Sequence, residues 1–121
     1  MSAMKVLIVD DHKINRTLPA VLLTQAGCEV HEADSGEAAM AFFEGASVDV
    51  LLLDVSMPGI SGSEVCRRLR ARPEMAGLRI VAYTAHAMPG EREQILAAGF
   101  DEILVKPINR QGLLQSVGLP V

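Results

Sequence analysis

Five side chains that can handle a cation or a phosphoryl group stand at the carboxyl ends of four separate apolar runs. Asp10 and Asp11 follow KVLIV, Asp54 follows VDVLLL, Thr84 follows RIVAY and Lys106 follows DEILV. Each alone has an ordinary explanation. The acidic pair could cap the next helix, Asp54 and Thr84 fit turn or capping positions, and Lys106 fits a solvated surface charge. Their coincidence is narrower. Carboxylates gathered at one edge repel, which raises a pKa or recruits a hard cation that prefers oxygen. Mg²⁺, or Mn²⁺ in its place, suits such a set, because Mg²⁺ takes few protein oxygens and readily adds phosphate oxygens to its octahedron. With the metal on Asp10 and Asp11, Asp54 could attack phosphorus in line. Lys106 would offset charge on the equatorial oxygens and Thr84 would donate a hydrogen bond to another of them. The product would be an acyl phosphate on Asp54.

The elements that must position these groups can be read from the pattern. Lys5 to Val9 is a continuous run of β-branched and Leu residues, too short for a helix and apolar on both faces, as a central parallel strand should be. Residues 28–33, 48–53, 79–83 and 102–105 supply four more strands. Helices are expected over 11–25, 35–44, 63–72, 89–98 and 109–117, with Gly27, Gly45 and Gly99 as stops and Pro89 in a first turn. Strict alternation of this kind predicts a single (βα)5 unit of the doubly wound α/β class, with helices on both faces of a parallel sheet. Ligands of such sheets bind outside the carboxyl ends of the strands, where all the polar positions fall. Pro19 fits badly. Inside the first helix it removes an amide donor at a cost of about 3 kcal/mol relative to Ala, so a kink or an early irregular turn is expected there.

Composition narrows the function. A chain of 121 residues fits one domain spanning 1–121, able to hide roughly two-thirds of its unfolded surface. Half the residues are apolar, but only Phe42, Phe43, Tyr83 and Phe100 are aromatic, so the core must be aliphatic. A net charge of −4 gives little support for direct nucleic-acid binding. Cys28 and Cys66 lie far apart with no CxxC or His/Cys cluster, against zinc and a disulfide framework alike, and are expected to be buried thiols. The apolar run at the start is too short for a signal peptide or a membrane span, so no membrane insertion and a cytoplasmic location are expected. Arg67, Arg68, Arg70 and Arg72 crowd the third helix, either as a solvated face paired at i,i+4 or as a surface for an acidic partner. His12 flanks the acidic pair as a helix-start residue, and His31 has no phosphotransfer context.

The motifs VDD at 9–11, LLLDVSMPGISG at 51–62, TAHAMPGE at 84–91 and AAGFDEILVKP at 97–107 resemble, in order and over nearly the whole chain, the receiver domain of two-component response regulators. The resemblance implies a flavodoxin-like sheet of order 2-1-3-4-5. It implies that Asp54 is the phosphoacceptor and that Asp11, Asp54 and the backbone carbonyl of Ser56 bind the metal directly, with Asp10 supporting partly through water. Thr84 and Lys106 would sense the phosphoryl group, and Pro107 would follow a cis peptide bond. The donor would be a sensor histidine kinase or a histidine phosphotransfer protein. The receiver would catalyse only its own phosphorylation and later hydrolysis, a signalling domain and not an enzyme of metabolism. Its output would pass to a protein partner on the surface of the fourth helix, fifth strand and fifth helix.

One departure stands out. The family usually has Tyr or Phe three residues before the lysine, and this chain has Ile103. A muted switch is expected, unless Tyr83 shares the role, although strand alternation points Tyr83 away from Thr84. Ser56 and His86, two beyond Asp54 and Thr84, occupy positions that tune phosphoryl lifetime in the family, or are ordinary loop residues.

Competing functions fare worse. A haloacid-dehalogenase-like phosphohydrolase wants a second Asp two residues beyond its nucleophile, where this chain has Ser56. A flavin or dinucleotide carrier wants a Gly- or hydroxyl-rich phosphate loop after the first strand, where DDHKIN places acids. Within the family, a stand-alone receiver is expected from the short segment after Lys106-Pro107, with a receiver excised from a hybrid kinase as the alternative.

Overall fold

Aliphatic runs without polar alternation must be covered on both faces, and the two innermost runs of this chain are. In the computed structural model, which describes residues 3–85 and 87–120, β1 (Lys5–Val9) buries all but its first residue and β3 (Val50–Asp54) buries every residue. Around them lie β2 (Glu29–Ala33), β4 (Arg79–Thr84) and β5 (Glu102–Val105). The helices are α1 (Lys13–Gln25), α2 (Gly36–Gly45), α3 (Gly62–Arg70), α4 (Pro89–Ala97) and α5 (Arg110–Val117), with a 3₁₀ turn at Pro73–Met75. All neighbouring strands run parallel, in the order β2-β1-β3-β4-β5. The sheet order and the doubly wound class are those expected.

The period of two along each strand divides the core. Leu7, Val9, Leu51, Leu53, Ile80 and Ala82 face α2, α3 and α4 through Ala39, Phe43, Val65, Leu69 and Ile95. Val6, Ile8, Val50, Leu52, Val81 and Tyr83 face α1 and α5 through Leu23, Leu113, Leu114 and Val117. Each fully buried Leu or Val contributes on the order of 1.5–3 kcal/mol, so two aliphatic layers hold the sheet without large aromatic residues. Both thiols are free and buried. Among the described residues no helix is long and apolar enough to cross a membrane.

Several helix ends differ from expectation, each for a local reason. The first helix starts at Lys13 rather than Asp11, and its N-cap residue is His12, with no side-chain capping bond. The acidic pair is used elsewhere, as described below. The third helix starts one residue early at Gly62, because the hydroxyl of Ser61 accepts the Glu64 N–H at 3.2 Å, and it ends at Arg70, after which the 3₁₀ turn takes over. Ser35 and Asn109 likewise cap α2 and α5, accepting the N–H of Ala38 at 2.9 Å and of Gly112 at 2.7 Å. The irregular turn expected at Pro19 is not found: α1 runs unbroken through it, and the proline is buried.

The arginines from 67 to 72 are also not one solvated face, and Arg72 lies beyond the end of α3. Arg67 and Arg68 pair with Glu64 on the surface, whereas Arg72 reaches Glu44. Arg70 folds over the amino end of the sheet, donating to the carbonyls of Gly99 and Leu78 at 2.9 and 2.6 Å and pairing with Asp101.

Candidate functional site

Where β1 ends, the chain turns its first carboxylate inward. Asp10 is fully buried, and its Oδ1 accepts the His12 N–H at 2.9 Å and the Asn15 side-chain amide at 3.4 Å. Its Oδ2 accepts from the Lys106 ammonium at 2.7 Å. Every donor a buried carboxylate needs is thus in place, which is why Asp10 does not cap α1. The next residue, Asp11, keeps part of its side chain open to the cleft, with Oδ1 3.2 Å from the His12 ring nitrogen.

Asp54, the last residue of β3, is buried apart from a 7% exposed edge. Its Oδ1 accepts the Ser56 N–H at 3.2 Å, and its Oδ2 lies 3.9 Å from the Lys106 ammonium. Burial, with Asp10 adding repulsion, pushes the Asp54 carboxyl up to about 6, against the pull of Lys106. Thr84 ends β4, level with Val105 of β5, and its carbonyl accepts the Lys106 N–H at 2.8 Å. The Lys106–Pro107 peptide is cis.

These residues meet in one cleft. A hollow of about 390 Å³ is lined by Asp11, His12, Asn15, Asp54, Ser56, Thr84, Ala85 and Lys106. Thr84 and Ser56 also border a second hollow of about 210 Å³, whose far wall is Gln94 and Ile95 of α4 and Ser63 of α3. Thr84 therefore stands between the acidic cleft and α4. Ile103 is half-buried against the α2, α3 and α4 face, and Tyr83 lies in the core of the opposite face. His86 lies outside the described residues.

Three contributors were not singled out in the sequence. Asn15 and Arg16 both secure Asp10, the former through its amide and the latter by donating to the Asp10 carbonyl at 2.7 Å while pairing with Glu32. Their distance of five and six residues from Asp10, one helical turn into α1, was the available signal. Gly62 is the third. A Cβ there would lie 1.9 Å from the Asp54 carbonyl oxygen, so the loop after β3 folds back onto the strand end only because this residue has no side chain.

The donor set fits a hard divalent cation. Asp11 and Asp54 offer carboxylate oxygens to one cleft, and ligand atoms of Asp10, Asp11 and His12 lie within 4.8 Å of one another. Acids packed this closely are the environment in which oxygen-preferring Mg²⁺ binds.

A doubly wound sheet carrying an acidic cleft with one lysine at the carboxyl edge of its strands defines the class: an α/β protein with its site at the strand ends. Residues 6–118 match the family model for the response regulator receiver domain, and the chain belongs to that family. Among curated proteins it is 42% identical over 118 residues to the virulence sensor protein BvgS of Bordetella pertussis, covering 93% of this chain and 10% of that protein. It is 40% identical over 118 residues to the sensor protein GacS of Pseudomonas syringae pv. syringae, covering 95% of this chain and 13% of that one. The chain thus spans about a tenth of the length of these relatives. Among solved structures, the chemotaxis response regulator CheY4 of Vibrio cholerae superposes with a TM-score of 0.90 at 33% identity, covering 96% of this chain and 97% of that one. The receiver domain of the sensor histidine kinase PA1611 of Pseudomonas aeruginosa, with magnesium in its active-site cleft, gives 0.84 at 30% identity over 97% of this chain and 99% of that one.

Proposed function

We propose that this receiver takes a phosphoryl group from a phosphohistidine onto Asp54 and passes the signal to a protein partner by a change of packing. One observation carries the reading: the Asp54 carboxylate opens into a cleft whose walls hold a second carboxylate, Asp11, and the Lys106 ammonium, 3.9 Å away.

The chemistry follows from these groups. A carboxylate oxygen of Asp54 attacks phosphorus, an O–P bond forms, and the P–N bond to the donor imidazole breaks. The electron pair stays on the imidazole nitrogen, which leaves neutral once protonated. Lys106, already between Asp10 and Asp54, shifts toward the phosphoryl oxygens, while the Thr84 hydroxyl donates to another of them. Asp11, Asp54 and the Ser56 carbonyl are the direct ligands for Mg²⁺ in this reading, with Asp10 behind them. When bound, the metal offsets charge on the phosphoryl oxygens. Hydrolysis of the acyl phosphate reverses the state, with Ser56 and His86 setting the access of water.

Thr84 is the link from chemistry to output. Drawn toward the phosphoryl group, it changes the wall it shares with α4. The exposed apolar side chains of Met88 and Leu96 at α4 and Val105 on β5 support a partner surface formed by α4, β5 and α5. Ile103 in place of an aromatic residue leaves the switch muted. The relatives BvgS and GacS are sensor proteins many times longer than the matched segment, which supports a receiver of the hybrid-kinase kind, served by a histidine phosphotransfer module.

Incubation with acetyl phosphate and Mg²⁺, followed by intact-mass measurement, tests the reading. One added phosphoryl group on the wild type and none on Asp54→Asn is expected. Equal labelling of the two would refute Asp54 as the acceptor.

A further inference from the structure

Two unusual residues of this chain explain each other. A proline inside a helix has no N–H for the carbonyl four residues back, so Pro19 leaves the Asn15 carbonyl without its helical donor. That carbonyl faces the sheet, and the Tyr83 hydroxyl donates to it at 3.0 Å, across 68 positions of sequence. The aromatic ring of the same tyrosine lies beneath the Lys106 ammonium, 4.6 Å from ring centre to nitrogen. Tyr83 itself is only 3% exposed.

The contacts close on themselves. Lys106 donates to Asp10, Asp10 accepts from the Asn15 side chain, and the Asn15 carbonyl accepts from Tyr83, whose ring carries Lys106. Four elements, β1, α1, β4 and the end of β5, each contribute one member. A phenylalanine would fill the same space in the core. The hydroxyl finds its acceptor at the carbonyl that Pro19 opens, and that bond adds a fixed point to a ring already packed in the core.

We propose that Tyr83 is a positioning residue for Lys106: its ring seats the ammonium between Asp10 and Asp54, and its orientation is fixed by the Asn15 carbonyl that Pro19 leaves open. The role is distinct from that of an aromatic switch beside α4, since Tyr83 faces α1 and α5. The first turns of α1 thereby set the geometry of the ammonium that must reach the phosphoryl group. This rests on the reading of Lys106 as a phosphoryl-contacting group.

Two substitutions, separate and combined, test it. Tyr83→Phe keeps the ring and removes the anchor. Pro19→Ala returns the helical N–H to the Asn15 carbonyl, so the double variant has no orphaned acceptor and should fold even if Tyr83→Phe alone does not. The readouts are thermal stability, the rate of phosphorylation by acetyl phosphate with Mg²⁺, and the chemical shift of the Lys106 ε-methylene, which a ring face displaces. Pro19→Ala is expected to recover the stability lost in Tyr83→Phe. The Lys106 shift should stay displaced from the wild-type value in the double variant, with phosphorylation about fivefold slower, equivalent to about 1 kcal/mol at 1.4 kcal/mol per tenfold. A double variant with the wild-type Lys106 shift and rate would overturn the proposal and leave Tyr83 as a core residue. Should the wild type take no phosphoryl group, the acceptor reading fails, while the Lys106 shift still decides on Tyr83.

Discussion

The two ends of the sheet handle charge in opposite ways. At the amino end, Arg70 serves two carbonyls and Asp101, and Asp101 also accepts the Ile80 N–H at 2.8 Å. Lys5 and Asp49 are joined there by a backbone N–H to carboxylate bond of 2.8 Å. Asp49 and Asp101 thus each have a donor. At the carboxyl end, Asp10 and Asp54 share the Lys106 ammonium, Asp11 lines the same cleft, and the Asp54 carboxyl is driven up to about 6. One end closes the fold. The other stores electrostatic stress that a divalent cation and a phosphoryl group can relieve, which is what separates a binding site from a well-paired surface.

Substitutions at the two ends should therefore have opposite signatures. The largest effect is at the carboxyl end: Asp54→Asn should abolish labelling by acetyl phosphate while raising the metal-free melting temperature at neutral pH, because a repelled, buried charge is gone. A lowered melting temperature would mean that the Asp54 charge is well satisfied, contrary to the comparison. Gly62→Ala comes next. With a Cβ only 1.9 Å from the Asp54 carbonyl oxygen, the loop must move, at a cost of about 3 kcal/mol and with slower phosphorylation, since the loop also carries Ser56. Denaturant unfolding and the acetyl phosphate rate measure the two parts. Arg70→Ala at the amino end should cost less, about 2 kcal/mol, for two lost hydrogen bonds to carbonyls and a partly exposed ion pair. Its phosphorylation rate, scaled to the folded fraction, should match the wild type; a slowed rate would show that the ends are coupled and not separate.

How much of this was legible depended on whether the cause was local. The strands were plain because each is a short aliphatic run, and the polar residues at their carboxyl ends placed the cleft. The sheet order followed from the motifs and not from periodicity, since hydrophobic patterns say nothing about which strand neighbours which. The start of α1 was misplaced by two residues because Asp10 and Asp11 have the composition of a cap, while the buried contacts of Asp10 to Lys106, 96 positions away, claim it for the site. Pro19 was opaque for the same reason. Its consequence lies on the Tyr83 hydroxyl, in another element. Arg70 looked like its neighbours on α3 until the amino end of the sheet supplied two carbonyls and Asp101.

The smallest predicted effect concerns pH, and it sharpens the contrast most directly. The Asp54 carboxyl titrates near 6 in the folded chain against an ordinary value of 3.8, so between these values the folded state holds more protons than the unfolded one. Stability then falls as pH rises. The contribution of neutral Asp54 is fully present below about 3.8 and is lost as pH rises through about 6. In metal-free protein the melting temperature should accordingly drop by a few degrees from pH 4.5 to pH 7 relative to Asp54→Asn, in which this group cannot ionise. Comparing the two proteins removes the acids they share, including Asp101 at the paired end. Mg²⁺ should act in the reverse sense, stabilising the wild type more as pH rises through about 6, because it favours the ionised carboxylate. Parallel melting curves for wild type and Asp54→Asn over that range, with and without Mg²⁺, would place the stress of the carboxyl edge on a residue other than Asp54.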